Sequence, residues 1–267
     1  MTVESRLRIA IVLPDLLGTY GDRGNALVLA ERWRARGGDA EIVDATTDRI
    51  LPRSCDIYVI GGGEDVAEAE AARLLAGAGL ADAVNRGAAI LAVCAGLQIL
   101  GRSMSDGRGR RRAGLGLLDI TSHPGQRRSI GEVLARCDAD LGLADGVLTG
   151  FENHRGRTVR GPSARPLARV SIGTGNGDGT DGAVSGRIVA TYLHGPVLAR
   201  NPALADHMLT RVCGHPLPAI DPGSITALRA GVIAAAHREA RARRRLGGRL
   251  QLRRWNNPGV PARGMRA

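Results

Sequence analysis

The sequence predicts an α/β protein with a doubly wound, mostly parallel sheet flanked by helices, and with β-rich additions in its second half. Two observations predict this class. Short apolar runs alternate with segments of helical spacing from residue 8 to residue 100, which is the pattern of parallel βαβ units. The run Ala88 to Val93 also has no polar alternation, which is typical of a strand buried on both faces.

The first half of the chain supplies the βαβ units. Apolar runs predict strands at Arg8 to Leu13, Ala40 to Asp44, Ile57 to Ile60 and Ala88 to Val93. Helical spacing predicts helices at Ala26 to Arg36, Val66 to Ala76 and Leu80 to Asn85, and another that begins near Leu97. The polar, basic segment Arg102 to Gly114 contains few structural signals, so we expect a mobile loop there.

The second half has short apolar runs separated by Gly, Asp and Asn, which favours additional strands. These runs are Gly116 to Ile120, Val147 to Phe151, Leu167 to Ile172 and Ala183 to Tyr192. Two further helices are expected at Asn201 to Val212 and Ser224 to Arg245. We therefore divide the chain into one domain, residues 1–237, and an arginine-rich, flexible tail, residues 238–267.

The basic excess consists entirely of arginine, because the chain of 267 residues contains no lysine. A chain without lysine has neither a P-loop lysine nor a Schiff-base lysine. If the biological reaction consumes ATP, we therefore expect another chain to bind and activate the ATP. We expect no cofactor on this chain.

The charge is concentrated at the C-terminus. Ten arginines against Glu239 lie in Arg238 to Ala267, a net +9 of the total +11. The rest of the chain is nearly neutral, which argues against a nucleic-acid-binding body. The tail suits a peripheral contact with an anionic membrane surface, and an ordinary solvated tail is equally compatible with its composition.

Nothing in the sequence indicates membrane insertion or export. No run approaches the ~18 apolar residues of a membrane span, and Met1 to Arg8 lacks the apolar centre of a signal peptide. The four cysteines show no zinc-site spacing, so we expect no metal and a reduced, cytoplasmic protein. The inner face of the cell membrane remains open as a location.

Cys94 is the first candidate for chemistry. It directly follows the buried run Ala88 to Val93, and small residues after it permit a sharp turn into a helix. The cysteine would then stand at the carboxyl end of a central strand, where open α/β sheets place their active sites. A helix N-terminus beneath the sulfur would favour the nucleophilic thiolate. The alternative is a buried, inert cysteine.

Gly61 to Gly63 ends the preceding strand. Three glycines allow backbone N–H groups to approach a ligand closely, as an anion cradle or an oxyanion hole. An ordinary tight turn is the alternative. The GxGxxG spacing of a dinucleotide site is absent.

A thiolate nucleophile requires a base, which is usually histidine. His194 follows the apolar run Ile188 to Leu193, so its placement mirrors that of Cys94 at the same sheet edge. His154 is the rival candidate. Placement alone favours His194.

Taken together, these motifs resemble class I glutamine amidotransferase domains of the cobyric-acid-synthase type, in particular the glutaminase subunits of lipid II isoglutaminyl synthases. The likeness runs from about Arg8 to Val212. Its motifs are Tyr20 to Asn25, Gly61 to Asp65, Cys94 to Gln98, Phe151 to His154 and Ala190 to Pro196.

The resemblance implies a glutaminase mechanism. Cys94 would attack the side-chain amide of glutamine, and His194 would take the thiol proton and return one to the departing ammonia. Backbone N–H groups of Gly62, Gly63 and Ala95 would hold the oxyanion. The family commonly has glycine where this chain has Ala95, a substitution that a helical backbone tolerates.

The resemblance also implies residues that bind the substrate. Arg128 would grip the α-carboxylate of glutamine, and Gln98 would line the same pocket. A surface arginine is the alternative for Arg128. Many class I enzymes carry a glutamate two residues after the histidine, but this chain has Pro196 there. The carboxylate that orients His194 must therefore come from elsewhere.

Three residues of this chain are candidates for that carboxylate, namely Glu152, Glu64 and Asp65. Each lies in a loop that the resemblance assigns to other duties, so we expect the carboxylate to come from a partner. The implied partner is a MurT-like ATP-dependent ligase, which would hold the ATP and magnesium. That ligase would amidate the α-carboxyl of D-glutamate in lipid II. The alternatives are a cobyrinic-acid-type amidation and a non-catalytic, amidotransferase-like regulator.

Overall fold

The computed structural model describes residues 6–49, 51–137, 141, 146–220 and 225–255, and in the last range it leaves out the side chains of 239 and 242–255. Two sheets and seven helices are present in these ranges. The strands are β1 (Leu7–Val12), β2 (Ala40–Ala45), β3 (Ile57–Ile60), β4 (Ala89–Val93), β5 (Ser103–Ser105), β6 (Arg111–Ala113), β7 (Ile120–Arg136), β8 (Val147–Arg160), β9 (Ala168–Ile172), β10 (Thr180–Asp181), β11 (Ala183–Ser185) and β12 (Ile188–Thr191). The helices are α1 (Arg23–Arg34), α2 (Asp65–Leu75), α3 (Leu80–Asn85), α4 (Ala95–Leu100), α5 (Val197–Arg200), α6 (Pro202–Cys213) and α7 (Ile225–Trp255).

The first sheet contains the catalytic candidates. Its strand order is β11-β12-β4-β3-β1-β2, and every pair is parallel except the antiparallel edge pair β11 and β12. All residues of β3, β4 and β12 are buried, which explains why their apolar runs lack alternation. Because β3, β4 and β12 are adjacent and parallel, their carboxyl ends lie together at one sheet edge. The predicted fold class is confirmed.

The second sheet is built around a long antiparallel hairpin of β7 and β8. Strand β7 also pairs with β5 and β9, so the sheet continues as β10-β9-β7-β5-β6. The pairing of β7 with β8 is interrupted between Pro124 and Ser129, and Arg128 lies in this irregular stretch. The hairpin reaches the first sheet through an isolated bridge between Phe151 and His194.

The segment Arg102 to Gly114 differs from the prediction. Instead of a mobile loop, it forms the antiparallel pair β5 and β6, with Ser103 opposite Ala113. The pairing of β5 with β7 then adds this short hairpin to the second sheet. Local composition did not reveal it, because the stabilising hydrogen bonds come from a strand later in the chain.

The predicted tail begins within α7. This helix extends to Trp255, so residues 238–255 continue it, while residues 256–267 lie outside the described residues. Flexibility and membrane contact of the tail therefore remain predictions. No helix in the described ranges is long and apolar enough to cross a membrane.

Candidate active site

Cys94 stands on a strained turn between β4 and α4. Its backbone has φ of 53° and ψ of −103°, a conformation that L residues rarely adopt. The Cys94 N–H donates to the Thr191 carbonyl at 2.9 Å, which ties the turn to the end of β12. A buried backbone strain of this kind at the end of a central strand is typical of a functional nucleophile.

The thiol of Cys94 is neutral in the resting site. Burial raises its pKa above the ordinary value, and the nearby carboxyls of Glu68 and Asp22 raise it further. The Ala95 N–H at the start of α4 lowers the pKa, but by less. The helix N-terminus therefore favours the thiolate as expected, but burial outweighs this effect and the thiol remains protonated.

His194 is buried, and its two ring nitrogens have no hydrogen-bond partner among the described residues. Its backbone is held by Phe151, whose carbonyl accepts the His194 N–H at 2.8 Å. Burial lowers the pKa of His194 to about 4, with smaller contributions from His154 and Arg128. The imidazole is therefore neutral near pH 7 and free to accept a proton.

Cys94 and His194 meet at Gly62. A Cβ placed on Gly62 would lie 2.9 Å from His194 Cε1, 3.0 Å from the Tyr20 ring and 3.5 Å from Cys94 Cβ. The Tyr20 ring itself lies against the imidazole, with centroids 4.6 Å apart. The tertiary structure thus brings the predicted nucleophile and the predicted base to the same point. Any residue larger than glycine at position 62 would crowd the imidazole of His194.

The Gly61–Gly62 peptide is held at both ends. The Gly61 carbonyl accepts the N–H of Gly96 at 3.2 Å, and the Gly62 N–H donates to Asp22 Oδ2 at 2.8 Å. The Gly62 N–H is therefore occupied and does not serve as an oxyanion donor in this structure, contrary to the expectation from the sequence. Of the predicted donors, Gly63 and Ala95 remain.

Arg128 and Gln98 line a cavity of about 410 Å³ together with Cys94 and Gly63. The Arg128 guanidinium is oriented by Asn153, whose Oδ1 accepts the Nε–H at 2.7 Å. This volume is in the range of small-molecule sites. A substrate in the cavity would contact both the sulfur and a fixed cation.

His154 also lines this cavity, but both its ring nitrogens are engaged. Nδ1 lies 3.0 Å from the Gly156 carbonyl, and Nε2 lies 3.4 Å from Glu152 Oε2. The ring stacks on Tyr192 at a centroid distance of 3.9 Å. These contacts suit a positioning role and favour His194 as the base.

The comparisons with known proteins agree with this geometry. The family model described as a CobB/CobQ-like glutamine amidotransferase domain matches residues 8–202. The chain belongs to the CobB/CobQ-like glutamine amidotransferase family. The predicted resemblance is thereby confirmed.

Two curated relatives of this amidotransferase match most of the chain. The GatD subunit of glutamine-hydrolysing lipid II isoglutaminyl synthase from Staphylococcus aureus strain N315 is 33% identical over 78% of this chain and 84% of its own length. The corresponding subunit from Streptococcus pneumoniae is 31% identical over 77% of this chain and 80% of its own.

The solved structures agree at the level of fold. A glutamine amidotransferase crystal structure matches with a TM-score of 0.52 and 21% identity, over 77% of this chain and 98% of that one. Another, from Thermotoga maritima, matches with a TM-score of 0.51 and 17% identity, over 86% and 93% of the two chains.

The turn between Cys94 and α4 requires glycine at position 96. A Cβ on Gly96 would lie 2.6 Å from the Ile60 carbonyl oxygen, so α4 could not approach β3 as closely. Ala95 is the first residue of α4 and is buried there. The departure from glycine at position 95 is therefore accommodated.

Three residues of the amidotransferase site escaped assignment from the sequence. Tyr20 packs on His194, Asp22 holds Gly62, and Glu68 lines the cavity. The motif Tyr20 to Asn25 carried a signal for the first two, as part of the family resemblance. Glu68 carried none, because an acidic residue on a helix is ordinarily a solvated surface group.

The in-chain candidates for the histidine-orienting carboxylate all have other partners. Glu152 accepts the N–H groups of Thr174 and Gly175 and lies beside His154. Tyr20 donates to Glu64 at 2.8 Å, and Gly107 donates to Asp65 at 2.9 Å.

Proposed function

We propose that this chain hydrolyses L-glutamine to glutamate and ammonia as the glutaminase subunit of a lipid II isoglutaminyl synthase. The observation that carries the proposal is the convergence of Cys94 and a neutral His194 at Gly62, beside a cavity that also contains Arg128. The ring nitrogens of His194 have no hydrogen-bond partner in the part of the chain that the structure describes. A buried thiol next to a free base is the arrangement that nucleophilic amide hydrolysis needs.

In the first half-reaction, His194 takes the proton of the Cys94 thiol as the sulfur attacks the side-chain amide carbon of glutamine. The new C–S bond moves the carbonyl electron pair onto oxygen, which the N–H groups of Gly63 and Ala95 stabilise. When this intermediate collapses, the C–N bond breaks. Ammonia leaves with the proton that His194 returns, and a glutamyl thioester remains.

In the second half-reaction, His194 takes a proton from water, and the resulting hydroxide equivalent attacks the thioester carbon. A C–O bond forms, the C–S bond breaks, and the proton returns from His194 to the Cys94 sulfur. The products are glutamate and the regenerated thiol. Because the resting thiol is neutral, deprotonation must accompany attack, which makes His194 indispensable in both halves.

The ammonia passes to a MurT-like ligase, which uses ATP and magnesium to amidate the D-glutamate α-carboxyl of lipid II. Two features support a separate ligase: the absence of lysine in this chain, and the similarity to relatives named as subunits of such a synthase. The lipid-linked acceptor implies that the complex works in the cytoplasm, at the inner membrane face. We propose further that the ligase supplies the carboxylate for His194.

The test is amidation of lipid II by the full chain co-purified with its ligase, with either glutamine or ammonium chloride as nitrogen donor. We expect wild type to use both donors and Cys94→Ala to use ammonium only. Amidation from glutamine by the Cys94→Ala complex would contradict the mechanism. Absence of glutamate release by wild type would support the non-catalytic regulator instead.

A cobyrinic-acid-type acceptor is the second candidate, because cobyric acid synthase from Brucella abortus is 44% identical over 119 residues. That match covers 42% of this chain and 23% of the cobyric acid synthase. The matches to the two GatD subunits cover about four fifths of this chain and of each subunit, which favours the lipid II acceptor. Supplying the complex with each acceptor in turn distinguishes the two.

A further inference from the structure

Glu68 carries a buried carboxyl oxygen that accepts no hydrogen bond from the described residues. It lies on α2 with 9% of its surface exposed, and no hydrogen-bond partner within the described ranges contacts its Oε1. Its side chain lines the same cavity as Cys94, Gln98 and Arg128. A buried, unsatisfied carboxyl group costs stability and therefore calls for a function.

The other acidic residues of the cavity wall are already engaged. Glu64 accepts the Tyr20 hydroxyl and lies 3.9 Å from Arg128, while Asp65 accepts the Gly107 N–H. Among the described residues, Glu68 is thus the acidic residue of this wall that has a buried carboxyl oxygen without a hydrogen bond.

Glutamine presents two opposite charges at its α-carbon. In the proposed function, Arg128 binds the α-carboxylate, and the α-ammonium needs an acceptor in the same cavity. We propose that Glu68 binds the α-ammonium of glutamine and makes the site specific for an α-amino acid rather than for any primary amide. This inference rests on the proposed glutaminase function.

The ionisation of Glu68 agrees with such a role. Burial raises its pKa to about 8, with a smaller contribution from Asp65, so the carboxyl is mainly protonated near pH 7. An entering ammonium would favour the carboxylate and pair with it. The neutral state also avoids an unpaired buried charge.

The test compares glutamine with glutaramate, which is glutamine without its α-amino group. Hydrolysis of both would be measured for the full chain in complex with its ligase, in wild type, Glu68→Gln and the matched control Glu70→Gln, a carboxyl on the same helix that pairs with Arg73 and does not line the cavity. We expect Glu68→Gln to raise KM for glutamine about 10- to 100-fold, as for the loss of a charged hydrogen bond, with little change in kcat. Glutaramate turnover should stay within about threefold of wild type, which also shows that the variant is folded.

Glu70→Gln should retain the wild-type preference for glutamine, and Glu68→Asp should retain part of it. The proposal is overturned if Glu68→Gln keeps the full preference for glutamine over glutaramate. It is also overturned if Glu68→Gln loses hydrolysis of both substrates equally, which would indicate a structural role. A wild-type enzyme that hydrolyses glutamine without preferring it to glutaramate would also overturn it. Wild-type complex that releases no glutamate would overturn the proposed function itself, and this inference with it.

Discussion

The carboxylate of Asp22 accepts a hydrogen bond of 2.8 Å from the backbone N–H of Gly62, although the two residues are 40 positions apart. Burial raises the pKa of Asp22 to about 6, and the Gly62 N–H opposes this shift. The bond directs the Gly62 N–H away from the cavity and fixes the loop against which His194 packs. Asp22 is therefore a positioning residue for the active site.

The first prediction concerns this bond. Asp22→Ala should lower the free energy of unfolding by about 1–3 kcal/mol, because it leaves the buried Gly62 N–H unpaired. Asp22→Asn should lose less, since its amide oxygen can still accept the bond. Urea denaturation measures the difference. The exposed Asp82→Ala serves as control and should cost at most about 0.5 kcal/mol. Equal costs at both sites would refute the assignment.

The second prediction is that Gly62→Ala reduces glutamine hydrolysis by at least about 100-fold. The added methyl group would lie 2.9 Å from His194 Cε1, so the imidazole must move away from Cys94. The matched control is Gly231→Ala in α7, where no described atom outside the local helix lies within 4 Å. That variant should keep wild-type activity and gain up to about 1 kcal/mol of stability. An active Gly62→Ala enzyme would contradict the geometry.

The third prediction separates chemistry from strain at Cys94. Both Cys94→Ala and Cys94→Gly should abolish glutamine hydrolysis. In urea denaturation, the free energy of unfolding of Cys94→Gly should exceed that of Cys94→Ala by about 1–2 kcal/mol, because glycine adopts φ of 53° without strain.

Cys213→Ala is the control for the third prediction and should remain active. Cys213 is buried, so alanine is a better replacement there than serine, whose hydroxyl would need a partner. Retained hydrolysis in Cys94→Ala, or loss in Cys213→Ala, would show that the nucleophile is misassigned.

The fourth prediction concerns His194. His194→Ala should lose activity about 1,000-fold or more, as Cys94 and His194 act as a unit, whereas His154→Ala should lose less. In the isolated full chain, NMR titration of His194 should give a midpoint near its lowered pKa of about 4. At His194 the folded state then binds fewer protons than the unfolded state between pH 6.5 and 4, so acidification through this range should destabilise wild type relative to His194→Ala.

The partner offers a further check on His194. A ligase carboxylate beside the imidazole would raise this pKa and increase the rate of glutamine hydrolysis. An unchanged titration midpoint in the complex, or full glutaminase activity in the isolated chain, would refute the idea that the partner completes the site.

The fifth prediction assigns glutamine binding to Arg128. Arg128→Ala should weaken kcat/KM for glutamine about 10- to 100-fold, mainly through KM, as expected for a lost charged contact. The neighbouring Arg127→Ala is the control and should have little effect, because Arg127 does not line the cavity that contains Cys94. Equal behaviour of the two variants would place Arg128 on the ordinary surface.

The sequence alone determined the first four strands of the first sheet and the positions of Cys94 and His194 at strand ends. The predicted single strand Ala183 to Tyr192 instead forms the two antiparallel strands β11 and β12. Uninterrupted apolar runs identify strands buried on both faces, and a residue that follows such a strand lies at the sheet edge. These signals are local in the sequence, so they can be recognised without knowledge of the fold. The same reasoning missed β5 and β6, whose pairing depends on β7.

Only the tertiary structure decided what each polar group of the site contacts. It placed His194 against Gly62 with no hydrogen-bond partner for its ring nitrogens among the described residues, and it engaged both ring nitrogens of His154. It also turned the Gly62 N–H toward Asp22 and buried Glu68 beside the cavity. Burial also reversed the expected thiolate preference of Cys94. Hydrogen bonds and desolvation depend on atoms that are distant in the chain, and residue spacing does not encode those distances.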